Sequence, residues 1–371
     1  MRLALRGTAP RWLTPVLLLI TVVVTFAITA GPIRAAGAAP GAAYERYVLT
    51  PLSSPASFYE VLLAATPLLF TGLAVAIAFR SGYYNIGAEG QFLAGAMGAT
   101  AVALAWPDLP RGIALPVAFV AGAAGGALWA LIPALLRVKL DIDEVVTTLL
   151  LNPVALLLLQ GMLNGPWRNP VNQFPESQAF SGSYVLPSVI PGARVHLGFV
   201  IALALAVLAW LVISRTATGL RMRAVGLAAP AARFSGVSVQ RTLLGSALAS
   251  GAIAGLGGMS QVCGLQGQLT GEISSNFGYT GIVVATLGGL TALGVVLVAV
   301  LLADITVGAE SAARVLQLPP QMGQVLTAVL LLVTVSLLVF RRYRLVLRPS
   351  RPPASTRQPS TPTAEHAGVS P

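Results

Sequence analysis

The sequence predicts an all-α, polytopic membrane protein, and three observations carry that class. Of 371 residues, 56% are hydrophobic and 9% charged, against about 25% charged in soluble domains. Such a chain lacks the polar side chains to cover itself in water. Apolar runs of the length that crosses ~30 Å of hydrocarbon recur along it. The basic residues, which set a net charge of +11, gather between alternate runs, as on the cytoplasmic side of membrane proteins. That bias accounts for the charge without a nucleic-acid partner.

In chain order the clear runs are 13–31, 62–79, 114–136, 145–163, 197–213, 243–263 and 325–340; 92–106, 279–290 and 292–306 are shorter or broken. They predict about ten crossings with both termini cytoplasmic. In that topology 17 of the 23 basic residues lie inside, five in 214–241 and six in 341–371. An odd number of crossings would put the Arg-rich tail outside. The first run follows Arg2, Arg6 and Arg11 like a signal peptide, but it exceeds the usual h-region of about 7–15 residues, so an uncleaved helix is expected. The chain divides into a cytoplasmic segment 1–12, a transmembrane domain 13–340 and a basic tail 341–371. The tail is rich in Pro, Ser and Thr and is expected to be disordered. Loops 32–56 and 164–196 fall outside. The second, with Trp167, Phe174 and Phe180, reads either as a packed cap or as a docking surface for a solute-delivering partner.

Whole classes of active site are missing. Lys139 is the only lysine and stands in no glycine-rich turn, so there is no P-loop. His196 and His366 are the only histidines, and Cys263 the only cysteine. No zinc motif, catalytic His pair or disulfide framework follows from them, and no metal site or resident cofactor is expected. A membrane enzyme would have to work with carboxylates alone.

Polar residues interrupt the apolar pattern in three places. Phe79–Gln91 sets Arg80, Asn85, Glu89 and Gln91 among Gly82, Gly87 and Gly90. This is either a broken helix, tolerated at depth only where it is buried in protein or lines a cavity, or a short cytoplasmic turn with a snorkelling Arg80. Asp141, Asp143 and Glu144 open the next helix where its dipole favours negative charge, with Thr147, Thr148 and Asn152 following. In 214–241, Pro230 can start a short helix and Gly236 can end it. That segment is either a plug for a partner's groove or a solvated basic loop.

Together GLAVAIAFRSGYYNIGAEGQ, DEVVTTLLLN, LRMRAVGLAAPAARFSGV and GYTGIVVATLGGLTALGV resemble, in order over most of the chain, the ABC-importer permeases for ribose, simple sugars and nucleosides. These share a family with branched-chain amino acid permeases, and NIGAEGQ is most similar to the longer permease subunit of nucleoside importers. The resemblance implies a type II importer permease bundle in the bacterial plasma membrane. It implies a second permease subunit, two ATPase subunits that carry ATP and Mg, and an extracytoplasmic solute-binding protein. It places Asn85, Glu89, Gln91 and Asn152 near the translocation path. It also implies an ATPase-coupling loop around Arg221, Gly226, Pro230, Ala231, Ala232, Arg233 and Gly236. The loop departs from the family pattern: Ala228 and Ala229 precede Pro230 where an Asn cap directly before Pro is usual. A secondary transporter that works without an ATPase remains the alternative. Its coupling carboxylates would be Asp304 and Glu310, read as lying near a helix end.

Overall fold

The computed structural model describes residues 2–5, 13–319 and 321–346. Expectations for most of 1–12 and for 347–371 lie outside these. The chain forms two compact units, 25–331 and the two end segments 1–24 with 332–371. In the smaller unit, strands β1 (Arg2–Leu5) and β2 (Tyr343–Val346) pair antiparallel, with Arg2 opposite Val346. Among the described residues everything else is helical or irregular.

The ten apolar runs fall on ten helices: α1 (Leu13–Ala35), α3 (Pro55–Arg80), α4 (Ala88–Ala105), α5 (Arg111–Leu140), α6 (Glu144–Asn164), α7 (Leu197–Arg215), α10 (Val239–Gln261), α11 (Phe277–Leu287), α12 (Ala292–Leu316) and α13 (Met322–Arg342). Six of them, α3, α5, α6, α7, α10 and α12, are long and apolar enough to cross a membrane, α10 being prolonged to Gln266 by a π turn. A seventh span results if α1 is joined to the helical turns that follow it across a 116° bend. Those turns, α2 (Pro40–Tyr44) and a π turn over Glu45–Leu49, occupy the expected outer loop 32–56. The Tyr44 ring stacks on Phe26 at 4.2 Å, and Gly308 of α12 leaves room for the Tyr47 backbone. Tertiary packing makes this turn helical, so its Gly- and Pro-rich sequence does not announce it.

α3 is the axis of the bundle: 89% of its most apolar stretch is buried, against 22% for α5, α6 and α7. Around it the small residues point inward. On α5 the buried face is Ala114, Ala118, Gly122, Gly126, Ala130 and Ala134, while Val120, Leu128 and Ile132 face out. This inverts the soluble pattern, because lipid is as apolar as leucine and helices gain by close backbone approach. One such approach is at Gly255 of α10, where a Cβ would collide with the Gly122 carbonyl oxygen. A Cβ there would sit 2.9 Å from the Gly126 Cα, with Gly95 of α4 crowding from the other side. Gly255→Leu is therefore expected to cost more than the ~1–3 kcal/mol typical of overpacking. Monodisperse yield in mild detergent would fall to near zero, and Gly255→Ala would show a smaller loss.

Residues 165–196 form a packed cap over the segment that follows α10. Leu186 N–H donates to the Cys263 carbonyl at 2.8 Å, Phe180 N–H to Gly267 at 2.7 Å and Ser177 N–H to Leu269 at 2.9 Å. Val171 and Phe174 of this cap remain exposed.

Candidate functional site

Two interrupted stretches, one from each end of the bundle, meet at Glu89. The first is the connection between α3 and α4. It is buried in protein at Ser81, Tyr83, Asn85 and Gly87, so the backbone there cannot use water. Side chains replace the missing helical bonds. Asn85 Oδ1 accepts from Gly87 N–H at 2.9 Å. Thr148 Oγ1 accepts from Ile86 N–H at 3.2 Å and Glu144 from Tyr84 N–H at 3.3 Å. Asn152 does double duty, accepting from Gly90 N–H at 2.9 Å and donating to the Ile86 carbonyl at 2.9 Å. The chain thus descends along the first two turns of α6, about 12 Å from Glu144 to Asn152, before α4 begins. Asp143 caps α6 through Val145 N–H at 2.7 Å, and Glu144 pairs with Arg137 at 3.0 Å.

Asn85 also ties this stretch to α10. Its Nδ2 donates to Gln91 Oε1 and Ser250 Oγ, both at 2.8 Å, and Gln91 Nε2 returns a bond at 3.0 Å. Ser250 donates in turn to the Ala74 carbonyl of α3 at 2.7 Å. The second interrupted stretch, 267–276, leads into the short helix α11. Glu89 Oε2 accepts from Gly278 N–H in the first turn of α11 at 2.7 Å, while Glu89 itself lies in the first turn of α4. The N-termini of two short helices thus converge on one carboxylate, where their dipoles favour negative charge. The far end of α11 is held by Arg80, whose Nε donates to the Leu290 carbonyl at 2.9 Å.

All four expected site residues, Asn85, Glu89, Gln91 and Asn152, are therefore at this junction, buried and hydrogen-bonded within the protein. The polar surface beside them comes from residues the sequence did not single out. Ser275 and Asn276 are exposed next to the α11 start, and Asn276 adopts a left-handed φ of 61°. A polar pair between two apolar runs carries no signal that it stands two or three residues before the Gly278 N–H that bonds Glu89.

The loop between α7 and α10 is two helices, α8 (Ala217–Leu227) and α9 (Ala229–Phe234). α9 starts with Pro230 in its first turn and has no side-chain cap, and Gly236 follows at φ 81°. Ala232 is buried against Val225 and Val239, whereas Ala231 and Arg233 are exposed. Leu227 and Phe234 project into solvent at 88% and 96% exposure, more than any folding role requires. Gly226 meets the α3–α4 connection directly: a Cβ on Gly82 would lie 3.2 Å from the Gly226 Cα. Arg221 and Gly236 line a cavity of about 780 Å³ between α7, α8 and α10.

His196 caps α7, its Nδ1 accepting from Gly198 N–H at 3.2 Å. Burial lowers its pKa from 6.5 to about 4. The neutral ring is thus fully stabilising above pH 6.5, and this stability is lost as pH falls toward 4. From pH 7.5 to 5 the loss is about 2 kcal/mol. Thermal unfolding in detergent should show it for the wild type but not for His196→Gln.

Residues 57–335 match the family described as "Branched-chain amino acid transport system / permease component". The chain is 36% identical over 352 residues to the glucose ABC transporter permease protein TsgB13 of Haloferax volcanii, covering 91% of this chain and 92% of that protein. It is 35% identical over 286 residues to the guanosine ABC transporter permease protein NupP of Bacillus subtilis, covering 75% and 80%. It is 31% identical over 322 residues to the nucleoside ABC transporter permease protein NupB of Lactococcus lactis, covering 84% and 88%. With its apolar spans, this match over most of both chains makes the protein a multi-pass plasma-membrane permease component of the branched-chain amino acid transport family.

Proposed function

We propose that the chain is the membrane-spanning subunit of an ATP-driven importer that moves a nucleoside or a related sugar into the cytoplasm. The observation that carries this is the junction at Glu89: two short helices start there, inside the bundle, beside the exposed polar pair Ser275 and Asn276. Interrupted helices whose ends face a cavity are how transporters build sites in the membrane. In this reading Asn85, Gln91 and Asn152 hold the wall of the path, Glu89 locks α4 to α11, and Asn276 hydrogen-bonds a neutral hydroxylated solute. The curated relatives are named for glucose, guanosine and nucleosides, and a neutral polyol is what such a surface suits.

The same reading gives α8 and α9, with Arg221, Gly226, Pro230, Ala231, Ala232, Arg233 and Gly236, the task of docking a cytosolic ATPase. The ATP and Mg belong to that partner. A second permease subunit would complete the path, and a solute-binding protein would deliver to the outer face. Reconstitution with the co-purifying ATPase tests this: labelled nucleoside or sugar should accumulate only with ATP, and Asn276→Ala should raise the half-saturating solute concentration at least five-fold. A single observation favours an ATPase-independent carrier. Asp304 is buried and its Oδ1 has no hydrogen-bond partner among the described residues. α12 runs on to Leu316, so Asp304 lies mid-helix and not near its end; Glu310 is exposed beside Arg314. Uptake driven by an ion gradient without the ATPase would decide for that reading.

A further inference from the structure

We propose that the cleft between α7, α8 and α10 binds one anionic phospholipid of the cytoplasmic leaflet, its phosphate at Arg221 and Arg241 and an acyl chain between α7 and α10. The cavity is about 780 Å³ and is two-toned along its length. Leu205, Leu208, Ala249 and Ile253 line one end; Arg221, Arg241 and the hydroxyls of Ser238 and Thr242, with Val212 from the last turn of α7, line the other. From Arg241 to Ile253 the α10 wall rises about 18 Å, near half of the ~30 Å hydrocarbon core. The cleft therefore has the depth of one leaflet, with its charge at the leaflet's surface.

Charge selects the headgroup. Residues 214–241 contain five arginines and no acidic residue, and among the described residues no carboxylate lies within 4.0 Å of Arg221 or Arg241. Ser238 begins α10 without spending its side chain on a cap, so the positive end of a 23-residue helix opens beside the same arginines. Basic pockets between cytoplasmic helix ends are where anionic headgroups bind. A lipid rather than a protein occupant follows from the next turn of α7. Trp210 stands exposed with the Arg215 guanidinium 5.5 Å from its ring centre, the aromatic-basic pairing of a membrane interface. The inference rests on the cytoplasmic placement of 214–241 and not on what the protein transports. Because α8 also touches the α3–α4 connection through Gly226, a lipid seated here would bias the element that couples the loop to the path.

The test is native mass spectrometry of the full chain released from vesicles of equal phosphatidylglycerol and phosphatidylcholine. One phosphatidylglycerol should stay bound in preference, and retention should fall with salt. Each of Arg221→Gln and Arg241→Gln should weaken retention about five-fold, and the double variant about 25-fold, at roughly 1 kcal/mol per charge near the surface. Arg233→Gln, outside the cleft, should change it less than two-fold. Ala249→Trp, which fills the apolar end, should lower retention without altering charge, and its unfolding temperature in lipid-free detergent checks the fold. Equal retention of the two lipids by the wild type, or unchanged retention by the double variant, would overturn the proposal. So would full displacement of the lipid when the second permease assembles, which would make the cleft a protein interface. Absence of transport by the reconstituted wild type, with phosphatidylglycerol retained, would count against the transporter reading alone.

Discussion

Asn152→Leu will unfold the α3–α4 junction. Asn152 is 2% exposed and supplies two bonds at once, one to Gly90 N–H and one to the Ile86 carbonyl. Leucine keeps its branched shape and removes both, leaving a buried donor at Gly90 and a half-buried acceptor at Ile86 without partners. Each orphaned group costs about 1–3 kcal/mol, so the loss is about 2–6 kcal/mol, against a total stability of about 5–15 kcal/mol for folded proteins. The start of α4 will fray, and Glu89 will leave the N-terminus of α11. Transport should drop at least 100-fold, with the unfolding temperature clearly lowered. Asn152→Asp keeps the acceptor for Gly90 but sets a second oxygen against the Ile86 carbonyl, so it should be destabilised as well, and more so as pH rises and the carboxyl ionises. An Asn152→Leu protein that unfolds with the wild type and transports at full rate would show that the junction does not depend on this side chain.

How much of this junction the sequence disclosed follows from its chemistry. Hydropathy reports helices that face lipid or the core, and every apolar run from 13–31 to 325–340 falls on a helix. Polar residues inside an apolar chain stand out, and Asn85, Glu89, Gln91 and Asn152 draw notice for that reason, but only the family resemblance groups them. Their partners draw none. The bond from Gly278 to Glu89 spans 189 positions, and that from Asn85 to Ser250 spans 165. No periodicity encodes such pairings. Nor does composition separate a side chain that lines a path from one that satisfies an irregular backbone, and here Asn85, Glu89 and Asn152 bond backbone groups while Gln91 braces Asn85. The helical turns at 40–49 were hidden for a related reason. They are set by Tyr44 on Phe26 and by the gap at Gly308, and both are tertiary. Pro230 and Gly236, by contrast, act locally through fixed φ and a left-handed residue, so the bounds of α9 could be read directly.

On the proposed function, Phe234→Asp will release the cytosolic ATPase from this chain. Phe234 is 96% exposed and Leu227 is 88% exposed, one at the end of each short helix, so both spend apolar area on water without return in this chain. Burying one such ring in a partner's groove contributes about 1.5–3 kcal/mol, and an interface anchor of this kind costs 2 kcal/mol or more when truncated. Aspartate adds the desolvation of a charge, so docking should weaken by roughly 100-fold or more. Because Phe234 lies in solvent, the variant should fold and unfold like the wild type, and its solute affinity should not change. The ATPase should be lost from affinity-purified complexes, and ATP-dependent uptake with it. Leu227→Asp should act in the same direction but more weakly, as leucine offers less area. The contact of Gly226 with Gly82 adds a second readout. Gly226→Val wedges α8 away from the α3–α4 connection, so the ATPase should stay bound and hydrolyse ATP while uptake fails. Retention of the ATPase by Phe234→Asp at wild-type stoichiometry would move the docking surface elsewhere on the cytoplasmic face.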